Sequence, residues 1–231
     1  MNASTPMSFD RARFNMIEQQ IRPWDVLDPK VLELLWRLHR EQFVPPAHRA
    51  LAFVDMELPL AEPTEAAMAS GRSMLAPKVE ARMLQEVDLK PTDSVLEVGT
   101  GSGYMAALLA GLAQRVVSLE IDPALAVRAR ANLARAGVKN VEVREADGAA
   151  GLPGEGPFDV IVLSGSVAQV PPALLAQLKV GGRLLAIVGE QPMMRATLIT
   201  RTGPNSHTTA QRWDTVAPRL AHFPEPSRFH F

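Results

Sequence analysis

Three glycines at alternate positions, Gly99-Thr100-Gly101-Ser102-Gly103, separate the apolar stretch Ser94–Val98 from the helical pattern Tyr104–Ala113. No other feature restricts the fold as much. A strand that turns at once into a helix needs backbone conformations that a Cβ disfavours, and glycine supplies them. Such a unit returns to its own sheet through a right-handed crossover, so its strand needs parallel neighbours. In an open parallel sheet, ligands settle beyond the carboxyl ends of the strands, where the strand order reverses.

The rest of the chain repeats the alternation. Val116–Leu119 reads as a second strand, and Asp122-Pro123 as N-cap and first turn of a helix ending near Gly137. Val141–Val143, Val160–Leu163 and Arg183–Val188 read as further strands, with a helix over Pro172–Leu178 and a turn at Gly181-Gly182. Ala196–Arg201 and Thr208–Trp213 form a terminal hairpin around Gly203-Pro204-Asn205-Ser206. Upstream, Met1–Ser8 is a polar tail, and Phe14, Ile17 and Ile21 share helical spacing up to Pro23. Asp28-Pro29 caps a helix whose apolar face is Val31, Leu34, Leu35 and Leu38. Residues 43–76 form a Pro-punctuated loop layer, and Pro77 opens a helix carrying Val79, Met83, Leu84 and Val87. The pattern predicts a Rossmann-like α/β fold: a mainly parallel sheet, helices on both faces, an N-terminal helical extension and a C-terminal hairpin. It divides into an acceptor-side segment, residues 1–76, and a cofactor domain, residues 77–231.

Further polar residues fall at predicted strand ends. Glu120 closes the second strand, where a carboxylate can accept both hydroxyls of a ribose. Asp147-Gly148 follows the third strand, placing an acceptor for an adenine amino group, and Ser164-Gly165-Ser166 follows the fourth. Glu97, inside the first strand, either orients the glycine loop or meets the cofactor's amino group. A nicotinamide fingerprint needs glycine at its sixth place, which here is Tyr104. The compressed Gly-x-Gly-x-Gly suits a ligand without pyrophosphate, S-adenosylmethionine. Its expected contacts are Glu97, Gly99, Thr100, Gly101, Ser102, Gly103, Glu120, Ile121, Asp147, Gly148 and Ser164.

Composition removes other classes. The chain has no cysteine, which excludes disulfides and suits a reducing compartment, so the expected location is the cytoplasm. A net charge of −1 argues against nucleic acid and anionic membranes as partners. No apolar run reaches signal-peptide or membrane-spanning length. The histidines lack metal-ligand spacing, so no metal is expected. Trp24 and Trp36 are assigned to packing of the N-terminal helices, the methionines to core filling, and Arg128, Arg130 and Arg135 to a solvated helix face.

The stretch Val95-Leu96-Glu97-Val98-Gly99-Thr100-Gly101-Ser102-Gly103-Tyr104 resembles the first motif of the protein-L-isoaspartate O-methyltransferases. The resemblance continues through Gln19-Gln20-Ile21, Asp28-Pro29-Lys30-Val31-Leu32, Phe43-Val44-Pro45, Asp55-Met56-Glu57-Leu58-Pro59-Leu60, Asp147-Gly148, Pro157-Phe158-Asp159-Val160-Ile161 and Leu178–Leu184. It implies methyl transfer from S-adenosylmethionine to a carboxylate, in the family an isoaspartyl side chain of damaged protein. The family's Gly-Gln-Thr-Ile-Ser-Gln-Pro loop is replaced by Gly71-Arg72-Ser73-Met74-Leu75-Ala76-Pro77, with Leu75 at the place of the family's catalytic serine. Ser73 is the hydroxyl that remains and the candidate for orienting the acceptor. Three readings stay open: a protein carboxylate acceptor; a different acceptor, small molecule or protein, in a pocket lined by Met74 and Leu75; or a non-transferring S-adenosylmethionine binder that docks a partner through the tail Phe223–Phe231.

Overall fold

The computed structural model describes residues 8–225. Helix α1 (Phe9–Met16) passes into a π turn (Ile17–Ile21) and a 3-10 turn (Arg22–Trp24). The buried face of α1 belongs to Arg13 and Met16, with the Arg13 guanidinium 2.6 Å from Glu41, so Phe14 faces outward, contrary to the sequence expectation. Helix α2 (Pro29–Arg37) starts as expected, the Asp28 side chain accepting from the Lys30 N–H. Residues 43–76 are more ordered than their prolines suggest. They contain a 3-10 turn (Pro46–Leu51), strand β1 (Leu58–Pro59), helix α3 (Thr64–Ala69) and strand β2 (Ser73–Met74), which pairs antiparallel with β1. Helix α4 (Pro77–Glu86) then leads to the main sheet.

There, β3 (Ser94–Val98), α5 (Tyr104–Ala110), β4 (Arg115–Glu120), α6 (Pro123–Arg135) and β5 (Val141–Glu145) follow in turn. They are succeeded by β6 (Phe158–Val167), α7 (Pro172–Ala176), β7 (Leu178–Glu190), β8 (Met193–Gly203) and β9 (Ser206–Asp214). The strand order is β5-β4-β3-β6-β7-β8-β9. Pairings from β5 to β7 are parallel, and β8 and β9 add antiparallel, so the expected hairpin extends the same sheet. The order reverses between β3 and β6, which puts the switch point at the glycine loop.

Successive residues of the central strands enter opposite cores, as a period of two requires. Val95, Val116 and Val160 pack with Met83, Leu108 and Leu133, and with Met16 and Leu35 from the N-terminal helices. Leu96, Val117 and Ile161 pack on the other face with Leu174 and Phe223. Both faces are dry, which is why these strands read as unbroken apolar runs.

Several boundaries differ from expectation for identifiable reasons. Helix α7 stops at Ala176, and Gly181-Gly182 lies in a bulge inside β7, where pairing jumps from Phe158↔Leu178 to Val160↔Arg183. Strand β6 runs through Ser164–Ser166, because Ser166 gains main-chain partners from the C-terminal segment. Trp36 is exposed beneath the Arg13 guanidinium, and Met56, Met68 and Met193 are surface residues rather than core filler. Arg128, Arg130 and Arg135 are not merely solvated: they donate to the main-chain carbonyls of Leu60, Val143 and Gln42. No described helix is long and apolar enough to cross a membrane.

Candidate cofactor and acceptor site

Register builds the site. Val98 of β3 lies level with Leu119 of β4 and with Leu163 of β6, so Gly99, Glu120 and Ser164 emerge side by side. The chain turns there by hydrogen bonds from the Gly99 and Thr100 N–H groups to the Leu119 carbonyl, at 2.9 and 3.3 Å. Gly99 and Gly101 have φ of +93° and +53°, where side chains are strained. A Cβ on Gly99 would stand 2.9 Å from the Leu220 side chain, and one on Gly101 would stand 3.2 Å from Leu60. The resulting cleft of about 210 Å³ is lined by Gly99, Gly101, Glu120, Ile121, Gly148 and Ser164, with Ser73 and Arg219 also on its wall. It shares Ser70, Gly71, Arg219 and Leu220 with a second cavity of about 640 Å³.

Glu120 is held rigidly. One carboxylate oxygen accepts from the Gly101 N–H at 2.7 Å and the other from the Asp122 N–H at 2.9 Å. Burial raises its pKa, and the same two donors draw it back. Each oxygen keeps a further lone pair, so the carboxylate can still accept two hydroxyls.

Behind the wall runs a buried polar chain. Thr100 Oγ1 and Ser118 Oγ are 2.5 Å apart, Ser118 donates to Glu97 at 2.5 Å, and Ser164 donates to the other Glu97 oxygen at 2.7 Å. Glu97 is fully buried, so it orients the glycine loop and Ser164 from behind the cleft. Burial pushes its carboxyl up to about 8 from an ordinary 4.5, opposed by the two hydroxyls. A raised folded-state pKa contributes stability that is complete below about 4.5 and is lost as pH rises through about 8. In denaturant titrations between pH 5 and 8.5, Glu97→Gln should therefore lose less stability with rising pH than the unaltered protein. Equal slopes would show that Glu97 is ionised in the native state.

Other expected contacts lie off the wall. Ser102 caps the start of α5 by accepting from the Tyr104 N–H at 3.2 Å, and Gly103 is that helix's N-cap. Thr100 is tied into the Glu97 chain. Asp147 is half-exposed and sits 2.7 Å from His222 Nδ1. The Ala149 N–H, then His222, hold it below the usual carboxylate range. Gly148 is needed for packing as well, since a Cβ there would collide with Val98. Among the described residues no group of histidine, aspartate and glutamate is arranged to hold a metal ion.

The acceptor side centres on Ser73–Ala76. The Ser73 hydroxyl donates to Glu57 Oε2 at 3.3 Å, and burial raises the Glu57 carboxyl. Met74 is buried and stands outside the cleft wall, contrary to its expected place in a pocket. Leu75, also buried, borders a larger groove of about 1210 Å³ with Trp24, Glu57, Lys78, Val188 and Met194. Arg40, 1% exposed, fixes this segment by donating to the Leu75 carbonyl at 2.6 Å and to the Ala52 carbonyl at 2.9 Å. Its guanidinium also pairs with buried Glu80.

The C-terminal segment closes the site, which nothing in its sequence announces. The Ser166 N–H donates to the Pro218 carbonyl at 2.7 Å, and the Leu220 N–H donates to the Ser166 carbonyl at 2.9 Å. Leu220 and Arg219 are thereby laid over the exit of β6. Phe223 packs back on its own domain, buried in the second core, rather than standing free to dock a partner; residues 226–231 of that tail lie outside the described residues.

A parallel sheet with a glycine turn at its switch point and a carboxylate ending the adjacent strand is common to nucleotide-binding α/β folds, and Tyr104 at the sixth place of the glycine pattern assigns this one to the S-adenosylmethionine-dependent methyltransferases. The family described as Protein-L-isoaspartate(D-aspartate) O-methyltransferase (PCMT) matches residues 11–215. A protein-L-isoaspartate O-methyltransferase of Methanoculleus marisnigri is 44% identical over 179 residues, covering 78% of each chain. Protein-L-isoaspartate O-methyltransferase 1 of Syntrophobacter fumaroxidans is 38% identical over 86% of this chain and 88% of its own. The chain belongs to the protein-L-isoaspartate (D-aspartate) O-methyltransferase family. Its fold also matches a solved protein-L-isoaspartate O-methyltransferase with a TM-score of 0.75 at 24% identity, over 91% of this chain and 65% of the other. A Plasmodium falciparum structure, titled a putative protein-L-isoaspartate O-methyltransferase in complex with S-adenosyl-L-homocysteine, matches with a TM-score of 0.73 at 19% identity, over 93% and 98%.

Proposed function

We propose that the protein methylates carboxylates of a protein or peptide acceptor, isoaspartyl side chains first among them. One observation carries this reading: the Ser73 hydroxyl and the carboxylate-bearing adenosyl cleft share one wall, and a second cavity opens beside them. Glu120 would take the ribose hydroxyls, Gly99 and Gly101 would leave room for the adenosyl group, and Ile121 and Gly148 would flank the base. Residues 1–76 would form the acceptor side and residues 77–231 the cofactor side. S-adenosylmethionine, when bound, supplies an activated sulfonium methyl group. The acceptor oxygen forms a C–O bond to the methyl carbon while the C–S bond breaks, its electron pair passing to sulfur. No proton moves, because a carboxylate is already ionised near neutrality. The protein's task is alignment and exclusion of water, and the Ser73 hydroxyl, exchanging its 3.3 Å bond to Glu57 for one to the acceptor, would orient the acceptor oxygen. A chain without cysteine and with a net charge of −1 supports a reducing compartment and an acceptor other than nucleic acid.

The test is transfer of labelled methyl to an isoaspartyl peptide. Ser73→Ala should lower kcat/KM by about 2- to 10-fold, the loss of one ordinary hydrogen bond. No methyl ester above background from the unaltered protein would remove this reading. Leu75 beside Val188 and Met194 favours a second one, in which an acceptor with an apolar flank replaces the isoaspartyl peptide. Activity on apolar carboxylic acids and none on the peptide would decide for it.

A further inference from the structure

We propose that Glu57 is a positioning residue that takes up a proton as the acceptor's carboxylate binds and thereby frees the Ser73 hydroxyl to hold it. The inference rests on the reading of carboxyl methylation above. The hairpin of β1 and β2 makes the pair: Leu58 lies level with Met74 and Pro59 with Ser73, so Glu57 enters beside the Ser73–Ala76 segment. Ser73 stands on the wall of the cofactor cleft, whereas Glu57 lines both the second cavity and the larger groove. The two side chains therefore meet where all three spaces adjoin, and an acceptor reaching toward the methyl group passes them.

A serine hydroxyl has one proton to donate, and that of Ser73 goes to Glu57 Oε2 at 3.3 Å. The other serines of the cleft wall are committed elsewhere, Ser70 to the Ala66 carbonyl and Ser164 to Glu97, each at 2.7 Å. Among the described residues no ion pair reaches Glu57. The cations that share its cavities are already held: Lys78 by Asp55 at 2.6 Å, Arg195 by Asp214 at 2.7 Å and Arg219 by Glu225 at 3.1 Å. Glu190 adds a further acid to the second cavity. An ionised acceptor beside an ionised Glu57 would therefore set two carboxylates against each other over one hydroxyl proton. A proton on Glu57 removes the conflict. Its carboxyl O–H then donates to Ser73 Oγ, and the Ser73 O–H turns to the acceptor oxygen. Burial already favours the neutral form of Glu57, opposed by the Ser73 hydrogen bond. The proton comes from solvent as the acceptor binds. The methyl ester formed is neutral, so Glu57 can then return it.

The experiment measures binding of an isoaspartyl peptide, with blocked ends and no other titratable group, to protein loaded with S-adenosylhomocysteine. Calorimetry from about pH 6 to 9, in buffers of different ionisation enthalpy, gives both Kd and the protons taken up. Where free Glu57 is ionised, binding consumes a proton, so Kd should rise with pH by up to about 10-fold per unit. Proton uptake should approach about one per peptide over the same range. Glu57→Gln offers Ser73 an amide N–H at every pH, so its Kd should stay within about twofold throughout, with no uptake. A merely structural role for Glu57 would move neither readout. S-adenosylhomocysteine affinity reports that the variant is folded; if it is not, the unaltered protein's own proton uptake decides. If the unaltered protein methylates the peptide but binds it without proton uptake, or Glu57→Gln keeps the same pH slope, the inference is overturned and carboxyl methylation stands. If the unaltered protein neither methylates nor binds the peptide, both fall together.

Discussion

Glu120→Ala is expected to weaken S-adenosylmethionine binding by about 100-fold or more, measured by calorimetry, while the protein stays folded. The size follows from two hydroxyl-to-carboxylate hydrogen bonds, each contributing about 1.5–3 kcal/mol when one partner is charged. The substitution also frees the Gly101 and Asp122 N–H groups, which now hold the glycine turn to the end of β4. Both can turn to water at the cleft, so stability should change far less than affinity. Glu120→Gln refines the result, since it retains the shape but replaces one acceptor oxygen with a donor. It should fall between the other two. An affinity within about threefold of the unaltered protein for the alanine variant would mean that the ribose is held elsewhere.

The second large effect is on stability. Arg40→Met should destabilise the protein by about 3–5 kcal/mol, because it strands buried Glu80 without its cation. For a chain of this size, that lowers the melting temperature by about 10 °C. The same change removes the donors that hold the Leu75 and Ala52 carbonyls, so the Ser73–Ala76 segment should loosen and methyl transfer should fall with it. Glu80 tests the cause: burial raises its carboxyl and Arg40 draws it back. Pairing Arg40→Met with Glu80→Leu should therefore recover much of the stability without recovering the loop contacts. If the double variant is as unstable as the sum of the two single variants, the ion pair is not what the single change disrupts.

Local rules made the cofactor half of the site legible. Val98 and Glu120 end strands whose apolar runs are unmistakable, Ser164 follows the apolar run inside β6, and Asp28 and Asp122 cap helices as their following prolines suggest. The acceptor half obeyed no such rule. Arg40, Glu57, Glu80 and Arg219 belong to segments far apart in the chain, and they meet only through tertiary packing, with no spacing to announce it. Asp147 shows another limit of the sequence: it is a strand-end acid in the expected place, and only the structure reveals that it also meets His222 from the C-terminal segment. Phe14 misled for a related reason, since Arg13 with its partner Glu41 takes the buried position that apolar periodicity would award to a phenylalanine. Buried ion pairs of this kind are invisible to any reading that equates charge with surface.

The most direct measurement is a crystal structure of the protein with S-adenosylhomocysteine. The ribose hydroxyls should lie within hydrogen-bond distance of the two Glu120 oxygens, the adenosyl group against Gly99 and Gly101, and the sulfur toward Ser73 and Arg219. Density for the ligand outside this cleft, or a Glu120 carboxylate that makes no contact with it, would contradict the assignment.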